Sequence, residues 1–300
     1  MCRRLNDEDM RISEQIMNSR PKIGIALGGG VARSFANIGV LNVLAREGIP
    51  VDYLAGSSAA SIIGAIYASG VSVENTCEIA LSTRWKDVAS LSLKHPFRGC
   101  LSNFRIERFL ERHCRSKYFE DLCIPFGIVA ADLISGEERL FQAGEIAPAV
   151  RASCSIPGIF PPIRIGKRLY IDGCYVNQIP SAAVRTMGAE IVIGCDVSKG
   201  ALAVKKKVPR NMFTILRHLV ALHSQKTADK GRRDSDLLIA VKVDDIGLTE
   251  LRRKKEIIMR GEEETIKMLP GLYALFDQGL REKEKSCEEA FPRRSNALVL

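Results

Sequence analysis

Residues 23–27, Ile-Gly-Ile-Ala-Leu, form a short apolar run that stops at three glycines, Gly28, Gly29 and Gly30, and opens into a helical pattern reaching Leu44. The same order of pieces follows at once. Residues 51–55 are a second such run, Gly56-Ser57-Ser58 a second turn, and residues 58–69 a second helix of small and apolar residues, ended by Gly70. Strand, tight turn and helix, twice over, is the βαβ pattern of a parallel sheet. Further strands are expected at 126–131, 139–142, 169–171, 191–195 and 237–243. Between them, residues 72–118 are charged and irregular by comparison, with one helical piece at 106–113, and lie where they could cap a site. Residues 156–162 read as irregular, proline-rich chain. Two helices follow. Met212, Ile215, Leu216, Leu219, Val220 and Leu222 form one apolar stripe, and residues 251–269 form the other helix.

A chain of 300 residues, 46% hydrophobic and 26% charged, can bury the core of one large α/β domain. No Pro/Ser/Gly linker or internal repeat divides it. Residues 1–20 read as a polar extension, 21–276 as the domain, and 277–300 as a charged tail that frays after Gly279. The first residues lack the apolar stretch of a secretory signal, and no apolar run reaches the roughly 18 residues of a membrane span. A soluble, cytoplasmic protein is therefore expected. Its nine cysteines are irregularly spaced, with no CxxC pair, which argues against a disulfide framework and a structural zinc site. The formal net charge of +9 favours anionic partners. Nothing resembles a nucleic-acid module, so an anionic membrane surface at the inner face of the membrane is the better candidate. Lys205, Lys206, Lys207 and Arg210, just ahead of the 212–222 stripe, are the candidate contact; the alternative is that the stripe covers the sheet and the cations form a solvated loop.

Ser58 sits where the second strand turns into a helix, the setting of a nucleophile elbow, G-x-S-x-G. The turn is tight, so small residues are needed two before and two after the serine, and Gly56 and Ala60 meet that need. A serine N-cap with no chemistry fits the same pattern. The run Gly28-Gly29-Gly30-Val31-Ala32-Arg33 could hold an anion on its backbone N–H groups, for instance as an oxyanion hole beside Ser58. The dinucleotide fingerprint fails there, because Arg33 stands at its last glycine and Asp52 begins a strand instead of ending one. Asp172-Gly173 follows a strand and either points into a cleft or makes an ordinary turn. Of the four histidines, His218 and His223 come in the right order after Ser58 and Asp172 for an α/β-hydrolase triad. Yet only two strands precede Ser58, few for that fold, and both histidines read more simply as residues beside an amphipathic helix.

Taken in order, these pieces resemble the patatin-like phospholipase family, in its compact bacterial branch. The resemblance covers roughly residues 22–275. It runs through Ile25-Ala26-Leu27-Gly28-Gly29-Gly30, Ile38-Gly39-Val40-Leu41, Gly48-Ile49-Pro50-Val51-Asp52 and Gly56-Ser57-Ser58. It continues through residues 151–162, Ile171-Asp172-Gly173, residues 176–180 and Gly247-Leu248-Thr249. The resemblance implies a three-layer α/β/α fold with a central, mostly parallel sheet. It also implies acyl-ester hydrolysis on lipids by a Ser–Asp dyad without histidine, metal or cofactor. Ser58 takes the family's nucleophile position and Asp172 its base position. The glycine run takes the oxyanion position, with Gly28, Gly29, Gly30 and Ala59 as the residues expected to frame it. Arg33, Gly56, Ala60 and Gly173 support the motifs.

Four positions depart from the family pattern: Val31 and Ser34 stand where it has glycine, Ala60 replaces the last glycine of the elbow, and Cys174 replaces a glycine or alanine. Valine does not readily adopt a positive φ, so Val31 would distort the loop if the fold needs that angle there. The alternative to a phospholipase, lysophospholipase or esterase is thus a catalytically impaired relative that binds lipid or a protein partner.

Overall fold

The computed structural model describes residues 20–91, 101–198 and 212–290. Its strands are β1 (Ile23–Leu27), β2 (Tyr53–Ser57), β3 (Ser90–Leu91), β4 (Leu101–Ser102), β5 (Phe126–Asp132), β6 (Glu138–Phe141), β7 (Ile163–Ile165), β8 (Arg168–Asp172), β9 (Ile191–Asp196) and β10 (Leu237–Ala240). The main sheet has the order β10-β9-β1-β2-β5-β8-β7, with β6 also paired to β5, while β3 and β4 form a separate antiparallel pair. From β10 to β5 the neighbours run parallel. β6 and β8 are antiparallel to β5, and β7 to β8.

The helices are α1 (Ala36–Arg46), α2 (Ala59–Ala68), α3 (Val73–Ser82), α4 (Trp85–Val88), α5 (Arg105–His113), α6 (Ile146–Ser153), α7 (Ser181–Thr186), α8 (Met212–Arg233) and α9 (Lys254–Ala290). Strands covered on both faces must be apolar throughout, and β1, β5 and β9 are buried at every residue. Ile23, Ile25 and Leu27 enter one core with Val40 and Leu44 of α1, Val150 of α6 and Ile257 of α9. Ala26 enters the other with Ala183 and Val184 of α7 and Ala228 of α8. Helix, sheet and helix thus form three layers. Each fully buried Ile or Leu contributes about 1.5–3 kcal/mol of transfer free energy to that arrangement.

Several elements differ from the sequence reading. β2 begins two residues later than expected, because its register runs from Gly24↔Tyr53 to Leu27↔Gly56 and draws the elbow glycine into the strand. The charged stretch after residue 72 contains the whole of α3, started by the Ser72 side chain accepting from the Asn75 N–H. α6, α7 and the short β7 were not foreseen. The last helix does not stop at Leu269. A proline inside a helix costs about 3 kcal/mol, yet α9 continues through Pro270 because Leu272 is buried beyond it and Leu275 and Phe276 pack on the core. Nor does the helix end at Gly279. Lys283, on the next turn, pairs with Glu190 at 2.8 Å and donates to the Arg20 carbonyl at 2.9 Å, so the helix is anchored past that glycine and runs to Ala290. The Lys205–Arg210 cluster lies outside the described residues. No described helix is long and apolar enough to cross a membrane.

Candidate active site

β2 ends at Ser57 and α2 starts at Ala59, so Ser58 alone makes the turn, with φ 53° and ψ −134°. Among the described non-glycine residues, positive φ occurs only at Ser58 and Val31. Such angles persist only where neighbours over-determine them, and here they do. The Ser58 N–H donates to Ser153 Oγ at 2.8 Å, and that hydroxyl donates to the Val129 carbonyl at 2.6 Å. On the other side, the Ser58 carbonyl accepts from the N–H of Ser61 at 2.8 Å and from its hydroxyl at 2.6 Å. The methyl of Ala60 is wholly buried in the core, so this departure from glycine is absorbed by packing.

Sheet register brings the aspartate to the serine. Ser57 of β2 lies opposite Val129 of β5, and Asp172 of β8 lies opposite Ala130, the next residue of the same strand. The ends of β2 and β8 therefore meet on consecutive residues of β5. Ser58 Oγ donates to Asp172 Oδ2 at 2.6 Å, while Asp172 Oδ1 accepts from the Cys174 N–H at 2.9 Å. Ser58 is 4% exposed and Asp172 2%. Burial pushes the Asp172 carboxyl up to about 6, and the bonds from Ser58 and Cys174 hold it from going higher.

The glycine run lies against this pair. A Cβ on Gly29 would stand 2.4 Å from Cys174 Sγ and 3.1 Å from Ser58 Cβ, so only glycine lets the loop come this close. The loop uses its N–H groups differently from expectation. The Gly28 N–H continues the ladder to the Cys195 carbonyl at 3.0 Å, and the Gly29 N–H donates to the Gln178 carbonyl at 3.2 Å. Both are thus occupied, and these two glycines frame the loop. The N–H groups of Gly30, Val31 and Ala59 have no backbone partner among the described residues. Ala59 opens α2, where first-turn N–H groups lack intrahelical acceptors.

Val31 adopts φ 52°, so the fold does require a left-handed residue there and accommodates valine. Arg33 does not reach Ser58. Its Nε donates to the Ile246 carbonyl at 2.8 Å, fixing the far end of the loop, and the Ala32 N–H donates to the Leu248 carbonyl at 3.0 Å. A left-handed valine costs about 1–2 kcal/mol. Val31→Gly is therefore expected to raise stability by up to about 1 kcal/mol, read as a higher melting midpoint. Turnover on short soluble esters should stay unchanged, because the angle is already attained; a marked rate gain would mean that valine distorts the loop.

No described histidine bonds to Ser58 or Asp172. His223 Nε2 instead lies 2.7 Å from the Tyr175 carbonyl, and the side chains of His95 and His218 lie outside the described residues. Cys174 Sγ is 3.5 Å from Ser57 Oγ, and burial, reinforced by the Asp172 charge, raises its pKa well above the ordinary thiol range, so it stays protonated. The described residues contain no His/Cys/Asp/Glu group able to hold a metal ion. Two contributors carry no signal of their own in the sequence. One is Ser153, which braces the elbow. The other is Gln178, whose side-chain NH2 donates to the Gly29 carbonyl while its backbone carbonyl accepts the Gly29 N–H.

Beyond the loop lies a cavity of about 100 Å³, lined almost wholly by apolar side chains, among them Val31, Phe35, Ala59, Ile62, Ile66, Ile79, Trp85 and Phe109. Val31 and Ala59 belong both to this wall and to the set of unpartnered N–H groups. One wall of the cavity is therefore made by the residue that follows Ser58 in the chain.

The fold and site thus define a three-layer α/β/α protein that holds a serine on a strand–helix turn against a buried aspartate. The patatin-like phospholipase model matches residues 25–184, more than half of the chain, which belongs to the patatin-like phospholipase family, a family of lipid hydrolases. A patatin-like phospholipase domain-containing protein of Caenorhabditis elegans is 37% identical over 185 residues, which is 58% of this chain and 13% of that protein. Human patatin-like phospholipase domain-containing protein 6 is 36% identical over 183 residues, again 58% of this chain and 13% of the relative. An NTE family protein of Mycobacterium bovis is 31% identical over 184 residues, 60% of this chain and 50% of the relative. The match thus spans half or less of each of these relatives.

Proposed function

We propose that this chain is a serine acyl hydrolase that cleaves the carboxylic esters of lipids through a Ser58–Asp172 dyad and an acyl-enzyme. The observation that carries the reading is the 2.6 Å bond from Ser58 Oγ to the buried Asp172 carboxylate, beside an apolar cavity. Asp172 accepts the Ser58 proton as Oγ bonds to the ester carbonyl carbon. The resulting oxyanion is held by the N–H groups of Gly30, Val31 and Ala59. Its collapse breaks the bond to the alcohol, which leaves with the proton from Asp172. Water then gives its proton to Asp172 and attacks the acyl carbon, releasing the fatty acid and regenerating Ser58. The acyl chain lies in the cavity, and the substrate is presented at an anionic membrane surface. Labelling by a fluorophosphonate probe, present in the wild type and absent in Ser58→Ala, tests the reading; an unlabelled, folded wild type would instead favour a binding protein.

The Asp172 carboxyl also sets the pH dependence. Only its ionised form can act as base, and burial places its midpoint at about 6. On a soluble ester, kcat/KM is expected to reach a plateau above pH 7 and to fall about tenfold per pH unit below 6. A flat profile from pH 4.5 to 8 would exclude Asp172 as the base.

A further inference from the structure

One wall of the apolar cavity is made by α4 and α5. Trp85 and Val88 of α4 and Phe109 of α5 line the cavity from inside. The two helices are tied together, Arg105 Nη1 donating to the Lys86 carbonyl. Their outer side is unlike an ordinary protein surface. Leu81 near the end of α3, Trp85 of α4 and Phe104 just before α5 are 42%, 37% and 48% exposed. Arg84, Lys86 and Arg108 beside them are exposed, and none forms an ion pair among the described residues. Two of the nearby acids are already engaged: the Asp87 carboxylate accepts the Arg84 N–H at 2.7 Å, and Glu107 pairs with Arg151, while Glu111, one turn on from Arg108, is exposed. The Arg108 guanidinium lies 5.8 Å from the Phe104 ring centre and that of Arg151 5.3 Å on another approach.

Exposed large apolar rings among unpaired cations suit one kind of partner. The rings enter the boundary between headgroups and acyl chains, and the cations meet anionic headgroups. We infer that this α4–α5 rim docks on an anionic lipid leaflet and that a lipid chain passes from the leaflet directly into the cavity behind it, an assignment that rests on the lipid-ester reading above. The rim and the cavity share Trp85, so the docked face and the acyl entrance are continuous. A chain leaving the bilayer there need not cross water, whose contact costs about 0.8 kcal/mol per exposed methylene. None of Lys205, Lys206, Lys207 and Arg210 is among the residues of this surface.

Trp85 is the only tryptophan of the chain, so its fluorescence reports on this rim alone. Binding is measured on Ser58→Ala, which leaves the lipid intact, using vesicles of phosphatidylcholine with or without phosphatidylglycerol. Phosphatidylglycerol vesicles are expected to co-sediment the protein and shift Trp85 emission to the blue, with both effects lost at 0.5 M salt, roughly where screening falls to a few ångströms. Each cation contributes about fivefold near such a surface, so the triple variant Arg84→Gln, Lys86→Gln, Arg108→Gln should partition about 100-fold more weakly. In a Ser58 background it should still hydrolyse soluble esters at the wild-type rate. Phe104→Ala should weaken binding as well. Co-sedimentation without a Trp85 shift would mean that another face docks, and equal binding to neutral vesicles would remove the role of the cations; either overturns the inference. Failure of wild type to hydrolyse soluble esters, with the shift intact, would overturn the enzymatic reading and leave the docking surface standing.

Discussion

Ser58→Ala and Asp172→Asn are each expected to lower ester hydrolysis by about 10⁴-fold or more while leaving the fold intact. In the proposed mechanism Ser58 supplies the atom that bonds to the acyl carbon, so its removal would leave only oxyanion stabilisation and binding. Among the described residues Asp172 is the one carboxylate bonded to Ser58 Oγ, and asparagine keeps its shape without acting as a base. The aspartate variant has a second expected signature. Burial lifts the Asp172 carboxyl from 3.8 to about 6, so the folded state binds its proton more tightly than the unfolded chain does. Folding stability contributed by this group is therefore present below pH 4, falls as pH rises to about 6, and above that is lower by on the order of 3 kcal/mol. Asp172→Asn should then melt higher than the wild type at pH 8 but not at pH 4. Activity of either variant above a hundredth of wild type would break the dyad. His223→Ala should keep most activity, because that ring engages the Tyr175 carbonyl on the surface of α8.

Gly173→Ala is expected to reduce hydrolysis at least about 100-fold without touching a reacting atom. A Cβ on Gly173 would stand 2.2 Å from the Val129 carbonyl oxygen and 2.7 Å from Ser57 Oγ. The carbonyl cannot yield easily, since it also takes the hydroxyl of Ser153, which holds the Ser58 N–H. Relief must come from moving the end of β8, and Asp172 with it. A displacement of about 1 Å at a reacting group costs on the order of 10² in rate, while crowding of this kind destabilises by about 1–3 kcal/mol. The expected result is a folded protein, lower in melting midpoint, whose kcat falls far more than its KM rises. Undiminished kcat would show that the Ser58–Asp172 distance is not critical.

The βα units were legible because their signals are local, whereas Ser58 and Asp172 were joined only by the resemblance to a family, each alone fitting an N-cap or an ordinary turn. An apolar run, a small-residue turn and a helix of small residues sit within about twenty residues for each βα unit, and Ser58 and Asp172 each end such a run. The supports were not legible because they are made by residues far apart. Ser153 and Gln178 meet Ser58 and Gly29 across 95 and 149 residues. Nothing in a run of Ala-Ser-Cys or Asn-Gln-Ile announces a brace. The glycine loop was located correctly, but which N–H groups remain free depended on the ladder. β9 claims the Gly28 N–H and the Gln178 carbonyl claims the next. α9 passed through a proline because burial on its far side, invisible in local propensity, outweighed the missing bond.

The meeting of β2 and β8 on consecutive residues of β5 also governs how the protein acquires its chemistry in time. The elbow and α2 are contiguous in the chain and can form early, within a short stretch of backbone. The carboxylate arrives only after a loop of 114 residues has closed and an antiparallel strand has found its register on β5. Loop closure of that length and long-range strand pairing are slow steps in folding. A single-residue slip of β8 would turn Asp172 to the opposite face of the sheet. Until β8 is seated in register the serine has no partner, whatever the state of the helices. Hydrolysis is therefore expected to return no earlier than the pairing of β8 with β5, a measure of one strand's seating that secondary-structure signals do not give.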